Sequence, residues 1–449
     1  MFTLAVRSLR HRGIAMTATF FAILLGAVVM GSFTPLIQVA LAPGTPTVEQ
    51  ETLLILGGVV EAWGAVIALF SVVSTVGITV RQREVEIGLL RTMGAEPRQV
   101  RSLVRAETLV VALVAAVLGA LVADRTSRWL LDLLQSGGVV GEQVSHSGGW
   151  VALIATVVLL LLVSAAAAGL AGSRSSRGPA TVVLAEARTG TGRIAWWRWV
   201  VALLAAVHTT TMIALTLAAG KDAADPYDAM ATTGSLGLVV AVGLAALAPM
   251  LLRAGSWLLR PLLTGASGHL AAYNTSRRSH LLAGVLAPVM VLSAAAVSIL
   301  MLVGMNERTL PTGLPPGITE GHESINLLNN VVAAMICAFA GIMVINAFAA
   351  VLADRRPELH TLRLLGATPG QVRGSVLTEA CIVAAVGTFA GLLAAQATIV
   401  PFAYVRGEGL VPDAQLWLPP LLIAGAVALT LASAAGATSR ALRTTSGVR

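Results

Sequence analysis

Two stretches of the chain carry the same charged and turn-forming residues in the same order. Residues 83–101 and 355–373 align without a gap at an offset of 272, and between 83 and 119 the two copies agree at 16 of 37 positions. The shared set includes Glu86/Glu358, Leu90/Leu362, Arg91/Arg363, Gly94/Gly366, Ala95/Ala367, Pro97/Pro369, Gln99/Gln371, Val100/Val372, Arg101/Arg373 and Glu107/Glu379. Unrelated stretches would share about three such positions, so the segment is duplicated. Its chemistry does not read as catalytic: a rigid helix–turn–helix at the membrane surface could transmit force, or could serve only as an interfacial helix that follows the positive-inside rule.

Three further residues could do chemistry inside a membrane. Glu61 falls in one apolar stretch, His208 with Thr209, Thr210 and Thr211 in a second, and Asn346 in a third. An ionisable group in lipid is costly and marks a candidate ion or proton site. Packing roles compete with that reading. Glu61, whose partner at offset 272 is Ala333, would be wetted or hydrogen-bonded to a neighbouring helix. The His208 patch would act as interhelical glue, and Asn346, which corresponds to Ser74, would pair polar groups between the halves. Glu107 and Glu379 recur at span ends, where loop arginines are the expected partners.

Other chemistries find no support. No G-x-x-x-x-G-K-[ST] loop occurs, and the single lysine, Lys221, lacks the glycine spacing before it, so the chain is not expected to hydrolyse ATP. No H-E-x-x-H or G-x-S-x-G pattern is present, and the seven histidines form no metal-ligand spacing. No catalytic residue, metal or bound cofactor is expected. Cys337 and Cys381 fall at different depths of different spans, as two small buried apolar residues rather than a disulfide.

The elements that must carry these residues follow from composition. Of 449 residues, 56% are hydrophobic and 12% charged, and mean hydropathy is +0.83. Soluble domains carry about 25% charged residues; half of that cannot clothe two or three globules in polar surface. Apolar stretches long enough to cross a bilayer occur at about 14–42, 53–80, 107–123, 150–172, 197–219, 232–252, 281–305, 326–353, 380–404 and 418–437. The expectation is an all-α polytopic membrane protein with about ten transmembrane helices. The net charge of +8 would suggest nucleic acid in a soluble protein. With the N-terminus placed in the cytoplasm, however, 25 of the 30 basic residues fall on the inner side. That is the positive-inside pattern; it puts both termini in the cytoplasm and gives the charge to orientation, not to DNA or RNA.

The duplication extends upstream. Leu4, Ala5 and Arg12 match Leu270, Ala271 and Arg278 at an offset of 266. Spans 1–4 thus correspond to spans 7–10 in one orientation, a parallel repeat. The expected division is a four-span repeat over 1–172, an interposed two-span segment over 173–265, and a second four-span repeat over 266–449.

The repeated loop reads as two short helices about a tight turn. Gly94 suits a positive φ at the end of the first helix, and Pro97 the first turn of the second. Thr368-Pro369-Gly370-Gln371 has the form of a capping box; Glu96 is a weaker cap, though Gln99 keeps the reciprocal site. Val100, Leu103 and Val104 share one face of the second helix, and Arg98, Arg101 and Arg105 another.

An Arg/Glu-rich lead into Leu-Arg-x-x-Gly-Ala-x-Pro-x-Gln-Val-Arg, with a Glu opening the next span, resembles the FtsX-like permease domain of MacB/FtsX-type ABC transporters. The signature occurs at 83–107 and 355–379, and the resemblance covers about 1–172 and 266–440. It implies that Arg91, Gly94, Ala95, Pro97, Gln99, Val100 and Arg101, with Arg363, Gly366, Ala367, Pro369, Gln371, Val372 and Arg373, form two elements that couple to a separate cytoplasmic ABC ATPase. Two ATPase copies are implied, with ATP and Mg on that partner and none on this chain. Such families commonly carry a large extracytoplasmic domain between spans 1 and 2. Here the corresponding gaps, about 43–52 and 306–325, are too short for one. The expected function is the permease subunit of an ABC transporter, moving a lipophilic or peptide-like substrate outward. An ion-gradient-driven secondary transporter and a cargo-free mechanotransmission or sensing subunit in antimicrobial-peptide resistance are the rivals. With 29 Arg against one Lys, the expected source is a GC-rich bacterium with an actinobacterial plasma membrane.

Overall fold

A computed structural model describes residues 2–43, 46–82, 84–136, 141, 150–176, 196–219, 228–310 and 316–444. They form helices and their connections, with no strand among the described residues. Nine helices among the described residues are long and apolar enough to cross a membrane. The stretch at 53–80 lies on a further continuous helix, α2 (Thr47–Gln82), part of whose side chains fall outside the described residues. The protein is an all-α polytopic membrane protein. The helices gather into two compact units, Met1–Leu184 with Gly313–Phe339, and Ala185–Thr312 with Ala340–Arg449.

In the first unit, α1 (Phe2–Ala40) packs along α4 (Pro97–Ser136) and α2, with α5 (Trp150–Ser176) beside them. Ile23, Met30, Leu36, Leu53, Leu134 and Leu160 fill its core. Short α3 (Glu84–Thr92) stands between α2 and α4. In the second unit, α11 (Ser279–Thr309) packs along α14 (Pro369–Val405), and α8 (Leu236–Ala246), α9 (Ala248–Leu259) and α15 (Leu418–Thr444) lie against them. Leu252, Leu286, Val289, Met290, Phe348 and Ala434 form that core. α6 (Trp196–Ala219) leaves Leu203, Leu204, Val207 and Leu215 exposed, the pattern of a helix facing lipid.

The main seam of each unit is built from small residues. A Cβ added at Gly391 on α14 would lie 2.6 Å from Ser293 Cβ and 2.8 Å from the Met290 carbonyl on α11; one added at Gly119 on α4 would meet Ala27 Cβ and lie 2.8 Å from the Leu24 carbonyl on α1. Gly119 and Gly391 differ by the 272 offset, while Leu24/Met290 and Ala27/Ser293 differ by 266. Both units therefore lock the same register between first and third spans. With no hydrophobic drive between helices in lipid, close backbone approach at glycine supplies the packing.

Three expectations need correction. The third span is not the shortest: α4 runs 40 residues, because the helix continues past Asp124 and Arg128, which pair at 3.1 Å across one turn. The stretch 232–252 is not one helix. It is split among α7 (Asp228–Thr233), α8 and α9; Pro249, at the start of α9, brings no N–H to continue α8. Cys381 is exposed, not buried, and both cysteines are free.

The connection from α14 to α15 is fastened to the end of α11. Arg406 Nη2 donates to Asn306 Oδ1 at 2.6 Å, and Arg308 pairs with the almost fully buried Glu408 at 3.2 Å.

Candidate functional site

The two copies of the loop have identical boundaries. α3 spans Glu84–Thr92 and α13 Arg356–Leu364; α4 begins at Pro97 and α14 at Pro369. Each pair of limits differs by 272. Gly94 has φ +98° and Gly366 φ +96°, a conformation costly for any residue with a Cβ. At Gly366 the amide donates to Arg363 O at 3.0 Å and the Ala367 amide to Leu362 O at 3.0 Å. These two bonds are the Schellman closure of a helix end.

The next helix then starts under side-chain control. Gln371 N–H donates to Thr368 Oγ1 at 3.2 Å, and Thr368 N–H to Gln371 Oε1 at 2.9 Å, a complete capping box. In the first copy the Glu96 N–H donates to Gln99 Oε1 at 3.0 Å. Apolar residues stiffen the turn from within: Leu352, Leu359, Val372 and Val376 form a small core, with Leu362 and Ala367 against it.

This geometry sorts the loop residues. Val100 and Val372 are buried and hold the turn together. Gly94, Gln99, Gly366, Pro369, Gln371 and Arg373 are exposed, while Ala95, Arg101, Arg363 and Ala367 are half-buried. The side chains of Arg91 and Pro97 lie outside the described residues. The turn also presents large apolar residues that the sequence reading did not single out: Leu364 is 76% and Leu365 79% exposed, and Met93 is 75% exposed in the first copy.

Behind the second turn lies a ring of charges. Arg355, at the junction of α12 (Pro316–Asp354) and α13, donates to both oxygens of Glu379 on α14, with Nη2 at 3.1 Å from Oε1. Asn274 on α10 (Gly265–Arg277) donates to the same Oε1 at 3.0 Å. Arg355 Nε reaches Glu358 Oε2 at 3.3 Å, and Arg278 Nη1 bonds that oxygen as well. The Arg278 amide donates to Asn274 O at 2.8 Å, which closes the ring. The Arg355 and Glu379 side chains are only 5% and 3% exposed. Burial alone would lower the guanidinium pKa; the charge and hydrogen bonds of Glu379, then Glu358, outweigh it and hold Arg355 above its ordinary range. Asn274 was not singled out from sequence, and Arg278, Arg355 and Glu358 stood there only as repeat positions, with no site role. The signal was there for the charged members, since Arg278, Arg355 and Glu358 each have a counterpart in the first copy (Arg12, Arg83, Glu86). Glu107, the counterpart of Glu379, is buried.

The intramembrane candidates fall in different units. In the first unit Thr34 donates to Glu61 and shares a 2.8 Å hydroxyl contact with Thr156, so three helices meet at Thr34. In the second unit His208 is exposed and Asn346 half-buried, with no hydrogen bond between them among the described residues. Thr210 and Thr211 bond carbonyls of their own helix. The interhelical hydroxyl contact forms further along, between Thr216 and Thr232 at 2.7 Å.

Comparison with curated proteins returns no match. The profile of the FtsX-like permease C-terminal family matches twice, over residues 59–180 and 330–446. Each match takes in one copy of the helix–turn–helix and the long helices around it, and together they cover more than half of the sequence. The chain belongs to the FtsX-like permease family, as a polytopic transport subunit with a duplicated FtsX-like domain.

Proposed function

We propose that this chain is the permease subunit of an ABC transporter, in which a separate ATPase binds ATP and Mg and hydrolyses the nucleotide. The two exposed turns take the force, one ATPase copy on each. Residues 1–172 and 266–449 act as the two FtsX-like halves, with 173–265 interposed. Both termini and both turns face the cytoplasm of a bacterial, actinobacterial-type plasma membrane, and the cargo is a lipophilic or peptide-like molecule moved outward.

The observation that carries this reading is the pair of turns. They share boundaries, positive-φ glycines and exposed apolar tips, and each turn leads straight into a long apolar helix. A loop that served only the positive-inside rule would need charge but no fixed geometry. In the second turn the backbone is locked by a Schellman closure, a capping box and a small core, so a push on Leu364 or Leu365 moves α14 instead of bending a linker.

The test is co-purification with an ABC ATPase, followed by its hydrolysis rate with the permease in a bilayer. Gly94→Pro with Gly366→Pro should abolish stimulation, since proline holds φ near −65° where the turns need a positive angle. Unchanged stimulation refutes the docking assignment. Transport driven by a proton or sodium gradient without any ATPase would replace the reading with a secondary transporter. ATPase coupling without movement of any cargo would leave a mechanotransmission subunit.

A further inference from the structure

We propose that the ring Asn274–Glu379–Arg355–Glu358–Arg278 is the joint that ties the coupling turn to helix α10, so that the two move as one body when the ATPase pulls. The inference rests on the coupling reading above and names positioning residues within it.

Three stretches of backbone meet at this ring: 274–278, 355–358 and the turn of α14 that carries Glu379. Asn274 sits on the last turns of α10, and Arg278 marks the break between α10 and α11. Arg355 marks the break between α12 and α13, with Glu358 in the first turn of α13. Glu379 sits on α14, ten residues beyond its start at Pro369. Both helix breaks are thus held by the same five residues, and α10 itself makes no ion pair among the described residues, so Asn274 and the Arg278 at its end are its polar tie to the turn. Without the ring, α13 and α14 would remain one wedge through their own small core. That wedge would reach α10 through packing alone.

Stability is a poor reason for such a ring. Replacing a buried ion pair with apolar residues is often neutral or stabilising, so its better-attested use is to fix one geometry among several. The sequence agrees, because the charged members recur as a set: Arg12, Arg83, Glu86 and Glu107 stand where the second copy has Arg278, Arg355, Glu358 and Glu379. Only Asn274 changes, to Ser8. Much of the surrounding apolar sequence differs between copies, yet these four charges are kept.

The ring also has the right distribution of strength. Its inner pair, Arg355 and Glu379, is nearly dry, while Arg278 and Glu358 are about a third exposed. The inner pair fixes geometry. The outer pair can be weakened without leaving a charge stranded in an apolar core.

The test uses the full chain with its ATPase in nanodiscs, in a Cys337→Ser/Cys381→Ser background. Spin labels are placed through His269→Cys on α10 and His360→Cys on α13, both exposed positions. In the parent the label distance should stay narrow and unchanged when nucleotide is added, as for one rigid body. Glu379→Gln keeps the shape and removes the charge. It should broaden the distance, leave ATPase co-purification intact, and cut stimulated hydrolysis at least about fivefold, the low end of ordinary coupling. Should Glu379→Gln fail to fold, the rim variants Arg278→Gln, Glu358→Gln and their double carry the test. Each single should broaden the distance and lower stimulation, and the double should add little. A narrow distance with full stimulation in every variant overturns the proposal. So does broadening with no loss of stimulation. If the parent neither binds nor stimulates the ATPase, the permease reading itself fails, and the label distances still report whether the ring holds α10 to the turn.

Discussion

Gly391→Ala should destabilise the protein by adding a single methyl group. The new Cβ would stand 2.8 Å from the Met290 carbonyl oxygen, 2.6 Å from Ser293 Cβ and 3.1 Å from the Ala294 amide nitrogen. Two of these three atoms are backbone of α11 and cannot swing aside. Restoring an ordinary contact of 3.4 Å to the carbonyl moves α14 off α11 by about 0.6 Å, and a gap of that size forfeits a quarter or more of each dispersion well along the seam. Overpacking of this kind costs about 1–3 kcal/mol. Against it stands the better helix propensity of alanine, about 1 kcal/mol. Gly374→Ala is the internal control, on the same helix and with nothing within 4 Å of the added carbon; it keeps the propensity gain and meets no clash. The two variants should therefore differ by about 1–3 kcal/mol. Thermal unfolding in detergent followed by tryptophan fluorescence should place Gly391→Ala below Gly374→Ala, with Gly374→Ala at or above the parent. Gly119→Ala should behave like Gly391→Ala, because it meets the Leu24 carbonyl at the same 2.8 Å. Coincident melting of Gly391→Ala and Gly374→Ala would refute the close seam.

Further outcomes follow at the turns and in the ring. Thr368→Ala removes the hydroxyl that accepts from Gln371 N–H and should cost about 1 kcal/mol. Glu96→Thr should gain up to about the same amount by completing the box around Gln99; unfolding of each variant against the parent reads both. At Gly366 an added Cβ meets nothing within 4 Å, so the cost is backbone strain alone. Stability and ATPase stimulation should fall in the order Gly, Asn, Ala, Val, with Gly366→Val losing about 1–2 kcal/mol; a flat series would show that the positive φ is not needed. Glu379→Ala removes the buried partner of the Arg355 guanidinium and leaves it only Glu358 at 3.3 Å, so it should cost up to about 3–5 kcal/mol, visible as a large drop in melting temperature. A loss under 1 kcal/mol would mean that water reaches the pair.

Much of the loop was legible in the sequence because its signals are local. Gly94 and Gly366 lie at helix ends where only a residue without Cβ is at ease, and both have positive φ. Thr368 and Gln371 are three residues apart, the spacing at which a cap can reciprocate, and they do. Span lengths were less legible. Hydropathy ended the third span near Asp124, but a helix tolerates charges that pair one turn apart, and α4 runs on to Ser136. Asn274 was invisible because its role needs Glu379, 105 residues away. A lone asparagine on a short helix carries no sign of the distant carboxylate. The exposed tips were missed for the opposite reason: leucines in an apolar chain read as core, and only the fold shows that Leu364 and Leu365 project outward.

By itself, the sequence determined that the chain lives in a membrane, that it is duplicated, and where its two turns fall. Hydropathy, charge and turn chemistry act over a few residues, so they can be read along a line. The tertiary structure decided which residues of the turn face outward, that the first and third spans of each unit lock through Gly119 and Gly391, and that five residues from three segments close into a ring. Those facts depend on which distant segments share a volume. Dispersion, desolvation and charge pairing act across space, not along the chain.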